Sequence, residues 1–205
     1  MIKVENLTIT TRQPILKNFS ANFESRKIYQ IAAENGMGKT TFLKALCNLI
    51  RYQGSIEFNS QPYSKCKQEV FFFEENNWLD TNLNSWDYLN LVKKLWGSDC
   101  DLNKEIKFWG IDQFVYLPIK KYSLGMKQKL IIAMYFASDA QYLLMDEITN
   151  GLDANSRTTF YTRVNELIKN SDKCIILTSH YANEIKSLDN LTKLKLENLT
   201  MHEDD

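Results

Sequence analysis

Two short segments of the chain hold residue types whose spacing suits phosphate chemistry. Asn35-Gly36-Met37-Gly38-Lys39-Thr40-Thr41 follows a strand-like apolar run, Lys27 to Ala33, and opens a helical pattern running from Gly38 to about Ile50. Small residues let backbone N–H groups wrap an oxyanion closely, and the helix that starts there offers its positive end. Much later, Leu143-Leu144-Met145-Asp146-Glu147 is an apolar strand ending in two carboxylates. Open α/β sheets bind ligands beyond the carboxyl ends of their strands, so Asp146 and Glu147 are expected at that edge. There one carboxylate can hold a hydrated cation and the next can polarise a water molecule. An apolar run ending in Asp-Glu is common wherever a strand meets a loop. Its weight comes from its pairing with the glycine loop, in this order.

The elements that must position these residues follow from periodicity. Strand-like runs cover Ile2 to Ile9, Ile15 to Phe23, Ser55 to Phe58 and Val70 to Phe73. Between residues 76 and 122 the texture changes: helical patterns (Trp86 to Trp96, Asp101 to Trp109) carry all four tryptophans, Trp78, Trp86, Trp96 and Trp109. A helix over Ser123 to Ala137, the strand Tyr142 to Met145, a helix over Asn155 to Lys169, the strand Cys174 to Leu177 and a helix over Tyr181 to Leu188 complete the pattern. Strands alternating with helices imply a mostly parallel sheet covered on both faces, and the opening run of strands implies an added antiparallel part. The expected organisation is one α/β domain with a core over residues 1–75 and 123–205 and a helical subdomain over 76–122.

Composition sets bounds on function. With 205 residues, 44% hydrophobic and 24% charged, the chain can bury a core. Twenty-five basic residues balance twenty-five acidic ones, which gives no support for a nucleic-acid surface. Cys47, Cys66, Cys100 and Cys174 are scattered without a CxxC pair, so free thiols are expected rather than a zinc site or disulfides. The start, Met1-Ile2-Lys3-Val4, reads as a strand and not as a signal peptide, and no run approaches the ~20 apolar residues of a membrane span. A cytoplasmic location is expected, with any membrane role exercised through a partner. The closing His202-Glu203-Asp204-Asp205 reads as a solvated acidic tail.

The glycine loop resembles a Walker A loop, with Ala33 where the first glycine usually stands, and the Asp146–Glu147 segment resembles Walker B. Alanine there implies a backbone cost of order 1 kcal/mol if the position is left-handed. Tyr122-Ser123-Leu124-Gly125-Met126 resembles the signature segment of ATP-binding cassette (ABC) proteins, keeping its serine and one glycine. Ile148-Thr149-Asn150-Gly151-Leu152-Asp153 resembles the family's continuation of Walker B, with Ile148 in place of proline. Ile175 to His180 resembles its strand and switch histidine. The resemblance runs from about Ile2 to Leu196 and implies a P-loop NTPase fold, and an ATPase subunit serving a separate membrane-spanning protein. A single-cassette ATPase in a non-transport process such as cofactor assembly is the alternative.

By that resemblance, ATP and Mg²⁺ are the cofactors. Lys39 contacts the terminal phosphates, and Asn35, Gly36, Met37, Gly38, Thr40 and Thr41 complete the phosphate loop. Thr40, Asp146 and Glu75 serve the metal, Glu75 standing where the family has its Q-loop glutamine. Glu147 is the general base and His180 the switch. Ser123, Gly125 and Asp153 act across a head-to-tail pair of cassettes. The family's adenine-stacking aromatic is missing: Thr10, Thr11, Arg12 and Gln13 occupy that stretch, and Arg12 either stacks through its guanidinium or is a solvated loop residue. The Tyr-Ser-Leu-Gly-Met form looks like that of bacterial exporters of peptides or antibiotics. Trp78 and Trp86, nearest Glu75, are expected to line an apolar groove that receives a short helix of the membrane subunit.

Overall fold

The computed structural model describes residues 1–74, 76–178 and 188–204. His180, Glu75 and nearly all of the helix expected over Tyr181 to Leu188 lie outside the described residues.

Two sheets form the frame. The antiparallel one, in the order β2-β1-β4-β5, comprises β1 (Ile2–Thr10), β2 (Pro14–Phe23), β4 (Gln53–Phe58) and β5 (Gln61–Pro62). The other, in the order β10-β9-β3-β8-β7-β6, comprises β3 (Lys27–Ala32), β6 (Val70–Phe72), β7 (Tyr142–Met145), β8 (Cys174–Thr178), β9 (Leu191–Glu197) and β10 (Thr200–Glu203). Every neighbouring pair in it is parallel except β9 with β10. In register, Phe72 faces Leu144, Met145 faces Leu177 and Thr178 faces Ile31, so β6, β7, β8 and β3 all end at one edge.

Side-chain alternation divides the core about the parallel sheet. On β7, Tyr142 and Leu144 join a cluster with Phe42, Leu43 and Leu46 of α1 (Lys39–Leu46) and the antiparallel sheet. Leu143 and Met145 join the opposite cluster with α4 (Leu124–Ser138) and α5 (Ala154–Lys169). Helices α2 (Ser85–Trp96) and α3 (Leu102–Phe108) pack on α4 from the 76–122 segment. Helix α4 has no polar face because it lies inside this second cluster, buried from Leu130 to Ser138.

Three expectations need correction. The helix opening at Gly38 does not reach Ile50. It ends at Leu46 because Asn48 turns left-handed (φ 52°), and its N–H returns to the Ala45 carbonyl at 2.9 Å. His202 and Glu203 belong to no free tail: they pair in β10 with Lys195 and Leu194, and Met201 between the strands is buried. The hairpin turn is made by Asn198 (φ 49°) and Leu199 (φ 64°), a left-handed pair that hides from a search for Asn-Gly. Ala33 is not among the left-handed residues, so its substitution for glycine carries no such strain. The four cysteines are free, and burial pushes the thiols of Cys47 and Cys174 up to about 12.

Candidate functional site

The turn leaving β3 is built on Gly36 (φ 80°) and Gly38 (φ 102°). A Cβ on Gly38 would stand 2.4 Å from Ile15 Cγ2, so both the backbone angle and the packing require glycine. Gly38 also begins α1, accepting from the Phe42 N–H at 2.9 Å. Lys39 is 6% exposed, and its ammonium donates to the Ala33 carbonyl at 3.0 Å. A cavity of about 170 Å³ is lined by Asn35, Gly36, Gly38, Lys39, Thr40, Thr41 and Glu147. The phosphate-type loop and the strand-end glutamate therefore share one space.

Asp146 and Glu147 are held by hydroxyls from neighbouring elements. Thr40 Oγ1 donates to Asp146 Oδ2 at 2.5 Å, and Thr178 Oγ1 donates to Asp146 Oδ1 at 2.7 Å. Thr178 Oγ1 also accepts from the Glu147 N–H at 2.8 Å, so one fully buried threonine fixes both acids. Glu147 is left-handed (φ 46°), a conformation that costs on the order of 1 kcal/mol and recurs at working sites. Its Oε2 accepts from Asn150 Nδ2 at 2.7 Å. Burial raises the Asp146 carboxyl above its ordinary range; the Thr40 and Thr178 hydroxyls counter this, and the Glu147 and Glu74 carboxylates add to the rise.

A second cavity, of about 530 Å³, lies beyond Thr40 and Glu147 and is lined also by Asp146, Glu74, Asn77, Leu124, Lys127 and Gln128. Glu74 directly follows Phe73, whose N–H is anchored to the buried Tyr135 hydroxyl at 3.1 Å. Glu74 itself pairs with Lys44 of α1. Thr40, Asp146 and Glu74 supply hard oxygen donors. Among the described residues there is no cluster of three or more His, Cys, Asp or Glu side chains able to hold a metal alone. That set fits Mg²⁺, which takes one or two carboxylates, keeps waters and draws its other ligands from phosphates.

The family model described as ABC transporter matches residues 16–150, a span that contains both the glycine loop and the two carboxylates. The chain belongs to the ABC transporter family. This ABC ATPase is 30% identical over 192 residues to the lantibiotic transport ATP-binding protein SrtF of Streptococcus pyogenes, covering 92% of this chain and 83% of that protein. It is 34% identical over 195 residues to the ABC transporter ATP-binding protein YybJ of Bacillus subtilis, covering 92% and 89%. Its fold matches the dimeric structure of MJ0796, a bacterial ABC transporter cassette, with a TM-score of 0.87 at 18% identity over 100% of this chain and 98% of that one.

Within the ABC ATPase, the expected residues fall into two groups. Ser123, Gly125 and Asp153 do not border the loop cavity. Ser123 caps α4, its Oγ accepting from the Met126 N–H at 3.2 Å. Asp153 caps α5 through Ser156, whose N–H and hydroxyl reach it at 2.8 and 2.9 Å and hold its carboxyl below the ordinary range. Gly125 packs its Cα face toward the Gly151 carbonyl, 3.4 Å from where a Cβ would stand. These three cap and join α4 and α5 within the chain.

Sequence reasoning overlooked Thr178, Glu74 and Gln128. Thr178 ends a β-branched strand, where threonine is an ordinary strand former. Glu74 is one of two adjacent acids whose order spacing alone does not resolve. Gln128 is buried, and its Nε2 donates to the Ile148 carbonyl, which ties α4 to the loop after β7. Another crevice, of about 160 Å³, adjoins the glycine loop at Met37 and is lined also by Gln13, Pro14, Ile15, Leu196, Glu197 and Leu199. Arg12 is exposed beside it.

Proposed function

We propose that this ABC ATPase hydrolyses Mg²⁺–ATP to drive a separate membrane-spanning subunit, through ATP-dependent head-to-tail pairing of two cassettes. The observation that carries this reading is the shared cavity wall of Thr40 and Glu147, with the Thr40 hydroxyl bonded to Asp146. Phosphates held by residues 35–41, with Lys39 on the terminal groups, would lie against the strand-end acids. Thr40, Asp146 and Glu75 would hold Mg²⁺, with Glu74 bordering the same cavity as Thr40 and Asp146. The ion supplies charge neutralisation at the phosphates. Glu147 acts as general base, its carboxylate aimed by Asn150. His180 keeps its proposed switch role, and Ser123, Gly125 and Asp153 serve the cassette opposite. The base extends the other way, into the crevice of Pro14, Ile15, Met37 and Leu199.

The core over residues 1–75 and 123–205 carries this chemistry, and residues 76–122 form the docking subdomain. Trp78 is 51% exposed, Trp86 is half-buried, and Tyr116 beside Trp86 is 69% exposed. These rings suit an apolar helix of the membrane subunit better than water. No described helix is long and apolar enough to cross a membrane, so that subunit brings the cassette to the inner face of the cell membrane. The name of the lantibiotic transport relative supports a lantibiotic-like cargo.

The direct test is Glu147→Gln, followed by phosphate release and sedimentation. Turnover falls at least about 100-fold while ATP binding persists and an ATP-dependent dimer accumulates. Turnover within threefold of the parent refutes Glu147 as the base.

A further inference from the structure

In the large cavity the Glu74 carboxylate is paired with a cationic side chain of α1. Its side chain is 10% exposed and pairs with Lys44, itself 31% exposed. Asp146 and Glu147 face the same cavity. Lys44 stands one helical turn after Thr40 on α1, so a single helix face carries both the hydroxyl bonded to Asp146 and the ammonium bonded to Glu74. The position of Glu74 is otherwise constrained. Strand β6 is paired to β7 through Phe72, and the Phe73 N–H is tied to Tyr135, so Glu74 is the first residue beyond those anchors. Its carboxylate reaches α1 on one side and borders the space beside Asp146 on the other.

We propose that Lys44 is a positioning residue that competes with the nucleotide-bound divalent cation for the Glu74 carboxylate and thereby sets the affinity of the site for that cation. The inference rests on the reading that Mg²⁺–nucleotide binds between the glycine loop and the strand-end acids. Three carboxylates facing one cavity attract a dication strongly, and a fixed ammonium on one of them offsets that attraction. Arginine at position 44 would keep the pairing, whereas a neutral side chain of similar length would free Glu74.

The test uses Mn²⁺ as a paramagnetic stand-in and a non-hydrolysable ATP analogue, with free Mn²⁺ measured by electron paramagnetic resonance on the whole chain. Lys44→Met is expected to tighten Mn²⁺ binding by about fivefold, within the range of a partly exposed ion pair, and Lys44→Arg to bind like the parent. Glu74→Gln is expected to weaken Mn²⁺ binding and, in that background, Lys44→Met to have no further effect. Unchanged or weaker binding in Lys44→Met overturns the competition. So does an equal tightening with and without Glu74, because that pattern is a general charge effect. Lys44→Gln provides a second neutral variant should Lys44→Met unfold. Failure of the parent itself to bind Mn²⁺ with the analogue refutes the underlying nucleotide reading instead, so the two failures are distinguishable.

Discussion

The strand-end edge and the 76–122 segment handle their conspicuous residues in opposite ways. At the edge, polar side chains are partly or fully withdrawn from water and each of these has a dedicated partner: Thr40 and Thr178 on Asp146, Asn150 on Glu147, Lys44 on Glu74. In the 76–122 segment, backbone and hydroxyl bonds fix the frame while several rings stay outside. Tyr122 binds Ser85 and the Phe114 carbonyl, and the Trp86 N–H reaches the Val115 carbonyl. Trp109 is buried with its indole N–H on Glu105, yet Trp78, Phe108 and Tyr116 are exposed. A site that performs chemistry has to fix atoms to fractions of an ångström. A docking face needs apolar area on a stable support.

This contrast predicts a gradient of effects. Gly38→Ala strikes the most constrained point, where a left-handed φ meets Ile15. It should cost on the order of 3 kcal/mol of stability and weaken nucleotide binding by about 100-fold. Thermal unfolding and titration of a fluorescent ATP analogue would check it, and parent-like affinity would contradict the geometry. Thr178→Val keeps the shape but removes the hydroxyl shared by Asp146 and the Glu147 N–H. A loss of about 1.5–3 kcal/mol is expected in denaturant unfolding, with a clear fall in turnover. Full activity in that variant would mean that the acids hold their places without it.

The base side should discriminate far less than the phosphate side. Its crevice is mostly apolar, with Gln13 and Glu197 at its wall and no aromatic ring to stack on a base, so ATP and GTP should bind within about tenfold of each other, roughly 1.4 kcal/mol. A competition titration giving a hundredfold preference would reveal a specific contact to the base edge. Smallest of all within the isolated chain is Trp78→Ala, which should shift stability by less than about 0.5 kcal/mol and leave ATP affinity unchanged. Its effect belongs to the complex: recovery of the membrane subunit should drop on co-purification. Undiminished recovery would place docking elsewhere.

Much of the fold was legible because its periodicities are strong. Strand β7 begins and ends where its apolar run does, and α2, α3, α4 and α5 lie within a residue or so of their patterns. What escaped is set by conformations that sequence signals poorly. Asn48 truncates α1, and Asn198-Leu199 turns the last hairpin without a glycine. The loop and the two strand-end acids were legible at the site because their order and residue types are dictated by phosphate chemistry. Thr178 was not, because its importance lies in register: β8 sets it beside Ile31, next to β7, and only pairing shows that. The Lys44–Glu74 pair was equally hidden, since it joins a helix to the end of a strand distant from it in sequence.

The placement of β3 bears on how the protein is made. The strand that launches the phosphate loop lies between β8 and β9, with Ile28 opposite both Ile175 and Leu191. Both neighbours come from residues 174–197, so during synthesis β3 must wait, apolar and unpaired, until those residues have emerged. Such distant pairing slows folding and leaves a sticky edge for chaperones to shield. Nascent chains stalled before residue 191 should therefore be chaperone-bound and protease-sensitive, even though every residue of the phosphate loop has already been synthesised.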